Sequence, residues 1–180
     1  MNRIFASLKI VTLAAVAAAF LAACDQANSC TYDGSANTLA CPDKTYKTAN
    51  IGGKVWMAEN LVRHDIGGNS YCYGDVPANC EKNGSLYPFE TATRICPEGW
   101  ALPTRADFET AVASSAFNAQ KVGFRYYDGK YADENVSASY WTAESFDEAR
   151  ATMVRIDTAT AFEHFNKSIA ASVRCVANRN

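Results

Sequence analysis

Basic excess, metal-ligand spacing and long apolar runs are what this sequence has little of. Its 17 lysines and arginines fall short of 19 aspartates and glutamates, so it offers no basic face of the kind that neutralises nucleic-acid phosphates. The same deficit gives no support for holding polyanions or an acidic membrane surface by charge. Only two histidines occur, no Cys-x-x-Cys pair is present, and neither His64 nor His164 lies at ligand spacing from a cysteine, which argues against a zinc site. Gly52-Gly53 and Gly67-Gly68 do not make a phosphate loop. No repeat, low-complexity segment or long linker divides the chain, and its apolar run at residues 10–23 is too short to span a bilayer comfortably.

That run follows Arg3 and Lys9 and closes with Leu21-Ala22-Ala23-Cys24, the pattern of an export signal. The closing residues resemble the lipobox of bacterial lipoproteins, where a peptidase cuts before the cysteine and the new N-terminal Cys is acylated. The resemblance implies lipidation at Cys24, a membrane anchor through that lipid, and a cell-envelope location on the periplasmic or cell-surface face. Several acyl chains on one residue anchor stably where a single chain does not. Cleavage after residue 23 leaves 157 of the 180 residues, the size of one domain with a sizeable core. Losing Arg3 and Lys9 takes the basic count from 17 to 15 against 19 acidic residues, a formal net charge of −4.

Seven cysteines is an odd number, and lipidation of Cys24 leaves six: Cys30, Cys41, Cys72, Cys80, Cys96 and Cys175. Outside the cytoplasm such a set reads as disulfides. Six cysteines allow fifteen connectivities, among which sequence alone does not choose. Proximity favours Cys30 with Cys41 and Cys72 with Cys80, which leaves Cys96 and Cys175 for each other.

Residues 24–44 are polar and read as a lipidated tether ending in a small disulfide-closed turn, with the globular domain at 45–180. Residues 46–51 and 54–57 read as two short strands around Gly52-Gly53, and Tyr71-Cys72-Tyr73 is a strand candidate. Tyr87-Pro88-Phe89-Glu90 opens a short helix, with Pro88 suited to its first turn, that must stop before Pro97. The clearest signal is the stretch CPEGWALPTRADFETAV at residues 96–112. Thr104 followed three residues later by Asp107 is a capping-box pattern, and Phe108, Ala111 and Val112 make an inward stripe on a helix from Thr104 to about Ser115. Beyond it, runs with period-two character at 122–127, 139–143, 150–156, 160–165 and 171–176 predict an antiparallel sheet. Two helices followed by a run of strands describe an α+β domain.

The combination IGGKVWMAENL at 51–61, SLYPFETATRICPEGWALPTRADFE at 85–109, SYWTAES at 139–145 and SVRCV at 172–176 resembles the Fibrobacter succinogenes major paralogous domain. That family consists of exported and often lipid-anchored bacterial proteins, and the resemblance, which runs from about residue 46 to 177, implies fold and location more than chemistry. More distantly, Ala92, Cys96, Gly99, Leu102-Pro103-Thr104 and Phe108-Glu109 are similar to the helix-turn-helix of the C-type-lectin-like superfold, including its formylglycine-generating-enzyme branch. This second likeness implies a lectin-like domain with two short helices and a twisted antiparallel sheet. It also implies a Cys96–Cys175 disulfide and N- and C-terminal strands that lie close together.

A lectin-like domain invites a calcium-dependent sugar site, yet the Glu-Pro-Asn or Gln-Pro-Asp triplet is absent, and Trp141 is followed by Thr142-Ala143 where Trp-Asn-Asp would stand. Oxygen ligands for calcium could still come from Asp128, Asp133, Glu134 and Asn135, close together in an expected loop. In the enzyme branch cysteine chemistry sits near the C-terminus; here a disulfide at Cys175 leaves no thiolate nucleophile. His64 and His164 have no accompanying serine or cysteine motif that would make either a general base. What remains is aromatic: Tyr126, Tyr127, Tyr131, Tyr140 and Trp141 cluster in one hairpin-like segment, with Tyr71 and Tyr73 as possible neighbours. Strand alternation puts about half of such residues outward, where flat rings with hydrogen-bonding tips suit sugars or proteins. The expectation is a lipid-anchored, non-enzymatic envelope module that binds polysaccharide or an envelope protein. The alternatives are an enzyme or accessory of the formylglycine-generating type and a purely structural lipoprotein.

Overall fold

In this computed structural model residues 29–63 and 67–178 are described, and they form a mixed α+β arrangement of curled, mostly antiparallel sheets. The first hairpin, β1 (Thr31–Asp33) and β2 (Thr38–Ala40), is stapled at its mouth by Cys30–Cys41. β2 pairs antiparallel with β3 (Thr45–Ile51), setting Leu39 opposite Tyr46, and both side chains are fully buried. The stapled turn assigned to the tether therefore extends the sheet of the domain itself. Its polar sequence concealed this because Leu39 is its one inward apolar anchor.

β3 turns into β4 (Lys54–Met57) through Gly52 and Gly53, whose φ values of 59° and 79° are those a two-residue primed turn demands. A Cβ on Gly52 would also collide with the Thr110 methyl group, so the turn packs close against a helix. β13 (Val176–Ala177) lies between β4 and β6 (Trp100–Ala101), with Val176 opposite both Trp56 and Ala101. The two ends of the described domain thus meet in one sheet of order β1-β2-β3-β4-β13-β6.

The second sheet runs β11 (Thr160–Asn166), β10 (Arg150–Ile156), β9 (Ala138–Ser145), β12 (Ala170–Ser172), β7 (Phe124–Arg125) and β8 (Tyr131–Ala132), with β5 (Leu86–Pro88) also on β12. Its pairing is antiparallel except where β12 meets β9 in parallel at Ser172 and Tyr140. The run at 171–176, read as one strand, is split between the two sheets, and Val173, Arg174 and Cys175 make the buried crossing. A period-two pattern does not reveal that a strand changes sheets partway along.

Three helices are present among the described residues, not two: α1 (Pro77–Asn83), α2 (Phe89–Ile95) and α3 (Arg105–Ala111). α1 lacks an apolar stripe, burying only Cys80, so periodicity gives no sign of it; its start is marked by Pro77 and its inner face by the Cys72–Cys80 disulfide. α2 buries Phe89, Thr91, Ala92 and Ile95. In α3 the capping box forms as the sequence predicts: Thr104 Oγ1 accepts from the Asp107 N–H, and Asp107 Oδ2 accepts from the Thr104 N–H. The helix stops at Ala111, short of Ser115, because Ser114 caps a separate 3-10 turn at Ser115–Phe117. The predicted strand at Tyr71-Cys72-Tyr73 reduces to a single bridge from Tyr71 to Leu86, followed by a 3-10 turn at Tyr73–Asp75.

Phe108 of α3 packs with Trp56 and Phe117, the three rings meeting edge-on at 5.5 to 5.9 Å. A second cluster gathers Tyr87, Phe89 and Trp141 with Met153 and Val173. Three disulfides are formed, Cys30–Cys41 and Cys72–Cys80, which proximity favours, and Cys96–Cys175, the pair left for each other. On the loop-entropy view the long Cys96–Cys175 link contributes about 4.5 kcal/mol and each short one roughly 2.5 to 3. No described helix is long and apolar enough to cross a membrane.

Candidate functional site

The β7–β8 hairpin carries the most exposed aromatic surface of the described domain. Arg125 stands opposite Tyr131, and the intervening turn is closed by hydrogen bonds from Tyr126 N to the Lys130 carbonyl and from Gly129 N to the Tyr126 carbonyl. Asp128 accepts from the Lys130 N–H, and Gly129 takes the left-handed conformation that completes the turn, with φ of 92°. Tyr127 at the tip is 74% exposed and Tyr126 41%. Tyr126 rests edge-on against buried Phe124, with ring centroids 4.9 Å apart, so its position is set by the core.

The segment tied down by Cys72–Cys80 supplies the second side of this face. The Tyr73 ring lies 4.9 Å from the Tyr131 ring, and the Tyr131 hydroxyl donates to Asp75 Oδ1 at 2.6 Å. Arg125 lays its guanidinium 4.0 Å over the Tyr71 ring and 5.8 Å from that of Tyr131. Partial burial and the Asp75 carboxylate raise the Tyr131 pKa, against the pull of Arg125, and burial raises that of Tyr73. Both phenols are therefore neutral hydrogen-bonding groups at physiological pH.

Tyr140, grouped with these tyrosines by sequence, belongs elsewhere. It is fully buried, its hydroxyl accepts from the Gln120 N–H, and its ring packs on Phe108 and Phe117. Trp141 is also buried and donates through Nε1 to the Tyr87 carbonyl. The physical reason is that β9 is covered on both faces over its first five residues, so alternation there does not divide inside from outside. Tyr126, Tyr127 and Tyr131 stay together, joined by Tyr71 and Tyr73. Arg125 and Asp75 complete the face; sequence reasoning missed both, and the only signal for Arg125 was a cation placed between Phe124 and Tyr126.

The four proposed calcium ligands are not brought together as a ligand set. Asp128 pairs with Lys130 at 2.9 Å on the hairpin turn, which holds its carboxyl below the usual range. Asp133 pairs with Arg155 at 2.9 Å. Asp133 and Asn135 both occupy left-handed backbone positions, with φ of 64° and 61°, a geometry that Asp and Asn tolerate. With Glu134 between them they build a turn, and no group of three or more His, Cys, Asp or Glu among the described residues is arranged to hold a metal ion.

His164 stacks on Phe146 with centroids 3.7 Å apart and lies 3.3 Å from the hydroxyl of buried Thr152 through Nδ1. An open cleft of about 390 Å³ lies between α3 and β13, lined by Lys54, Leu102, Thr104, Asp107 and Val176 among others. Its charges serve the fold: Lys54 donates to Asp107 Oδ1 at 2.6 Å, and Asp107 is already engaged as a helix cap. All six cysteines of residues 29–178 are in disulfides. Cys24 and His64 lie outside the described residues. No family model, curated protein or solved structure matches the chain.

Proposed function

We propose that this chain is a lipid-anchored cell-envelope protein whose lectin-like domain binds polysaccharide, without catalysis, on the face formed by the β7–β8 hairpin and the Tyr71–Asp75 segment. The observation that carries this reading is the exposed pair Tyr126 and Tyr127, set on a disulfide-braced, core-supported scaffold. Flat rings presented with little rotamer freedom favour stacking on sugar rings at low entropic cost. The disulfide at Cys175 supports binding over formylglycine-type chemistry, because it occupies the one C-terminal cysteine.

The test is pulldown of the full chain, purified in mild detergent, on an array of insoluble plant and bacterial polysaccharides. Saturable retention on particular glycans is expected, with loss in the Tyr126→Ala/Tyr127→Ala double variant and no change on adding a calcium chelator. Unchanged retention of the double variant would remove this face from the binding site. Retention abolished by the chelator would restore a calcium site to the account.

A further inference from the structure

On the same hairpin two cations are treated differently. Lys130 is matched by Asp128 at 2.9 Å, whereas Arg125 has no carboxylate within ion-pair distance among the described residues. Arg125 Nε is buried without a hydrogen-bond partner, and the only carbonyl taken by the guanidinium is that of Tyr126, at a long 3.4 Å from Nη1. Stacking over Tyr71 fixes the plane of the group, and the Tyr131 hydroxyl is its other polar neighbour. A guanidinium held flat beside exposed tyrosines, with no carboxylate of its own among the described residues, suits a planar carboxylate that accepts two parallel hydrogen bonds.

Charge nearby narrows the ligand further. Asp75 and Asp128 flank the face, and the chain as a whole carries more acidic than basic residues, so a densely charged polyanion meets carboxylates beside the one cation they leave unmatched. We propose that the face takes a glycan bearing isolated uronic-acid carboxylates on an otherwise neutral chain. The carboxylate pairs with Arg125 while neighbouring sugar rings lie against Tyr126 and Tyr127. This rests on the glycan-binding reading above and adds to it the ligand's chemical class.

The experiment compares three probes on the full chain in detergent: glucuronoxylan, the same glycan after its carboxyl groups have been reduced to alcohols, and polygalacturonate. Glucuronoxylan is expected to bind about tenfold more tightly than its reduced form, the size of one charge-assisted contact. Polygalacturonate should bind no more tightly than glucuronoxylan. The tenfold advantage should largely vanish in about 1 M salt, where the Debye length shrinks to about 3 Å. Arg125→Gln should bring the two xylan forms to the same affinity. Equal affinity for the two forms in the unsubstituted protein overturns the inference while leaving glycan binding standing. Full displacement of the glycan by poly-glutamate overturns it in favour of an acidic protein partner. Binding to no glycan at all overturns both readings. The comparison of xylan forms needs no substitution, so a poorly folding variant does not blunt it.

Discussion

Two guanidiniums in this domain lie over aromatic rings, and what surrounds each is different. Arg174, on the crossing between the sheets, is fully buried, 4.6 Å over Phe117 and 5.2 Å from Tyr140. Its Nη2 donates to Asn60 Oδ1 at 2.6 Å, and Nη1 donates to the carbonyl of Phe117, with that of Asn118 close by. Burial pushes its pKa down from the ordinary value, yet an arginine keeps its proton, so carbonyl oxygens and ring faces must replace water around the charge. Arg125 has the rings with a single long carbonyl contact, to Tyr126 at 3.4 Å. In the core the terminal nitrogens meet built acceptors, Nε alone going without; on the hairpin the guanidinium has one long carbonyl contact and no carboxylate, which leaves its charge to meet something from outside.

Each region also has its own disulfide, and removing them is the largest perturbation available. Cys96–Cys175 anchors the residue next to Arg174 to the end of α2 across 79 residues of sequence, while Cys72–Cys80 closes only 8, beside Tyr71 and Tyr73. Replacing Cys96 and Cys175 with alanine should cost about 4.5 kcal/mol in urea unfolding, and replacing Cys72 and Cys80 about 2.5 kcal/mol. Similar losses from the two would break the contrast between a global brace and a local one.

Substituting the two arginines sharpens it. Arg174→Met strands two buried acceptors, those of Asn60 and Phe117, and the part-buried Asn118 carbonyl, and should destabilise the domain by about 3 kcal/mol. Arg125→Met strands no acceptor, since the Tyr126 carbonyl keeps its bond from the Gly129 N–H, and should cost less than about 1 kcal/mol. Paired chemical-denaturation curves measure both; an Arg125 cost as large as that of Arg174 would mean that the hairpin arginine is structural.

The sequence made much of the fold legible because local chemistry and final structure agree there. The Gly52-Gly53 hairpin, the Thr104–Asp107 capping box and the β10 strand at Arg150–Ile156 fall where turn residues, caps and alternation place them. The failures occur where tertiary context decides. Tyr140 looked outward because β9 alternates in composition, yet packing on both sides buries it. α1 was missed because a disulfide, not an apolar stripe, holds it. Asp133 and Asn135 take left-handed turn positions, and because Asp and Asn serve turns as readily as ions, the spacing of Asp128, Asp133, Glu134 and Asn135 does not by itself tell the two roles apart. Of the candidate face, the tyrosines were visible; that Arg125 has no carboxylate partner among the described residues was not, since ion pairing depends on which strands come together.

The smallest effect separates two carboxylates whose pKa values are both held below the usual range. Burial pushes the Asp107 pKa up, but hydrogen bonds from Lys54 and from the backbone and side chain of Thr104 outweigh it and leave the carboxyl below its ordinary 3.8; it caps the helix that sets Phe108 against Phe117. Asp128 is lowered by Lys130, but on the exposed turn. A carboxyl whose folded pKa is depressed stabilises fully above its unfolded value, and that contribution is lost as pH falls through the folded one. Asp107→Asn should therefore cost about 1 kcal/mol at pH 7, with the gap to the parent closing as pH drops below 3.8. Asp128→Asn should leave the unfolding midpoint unchanged across the same range, because solvent screens its ion pair. A pH-dependent loss at Asp128 equal to that at Asp107 would place the hairpin turn among the elements that hold the domain together, and would weaken the case that its charges face outward for a ligand.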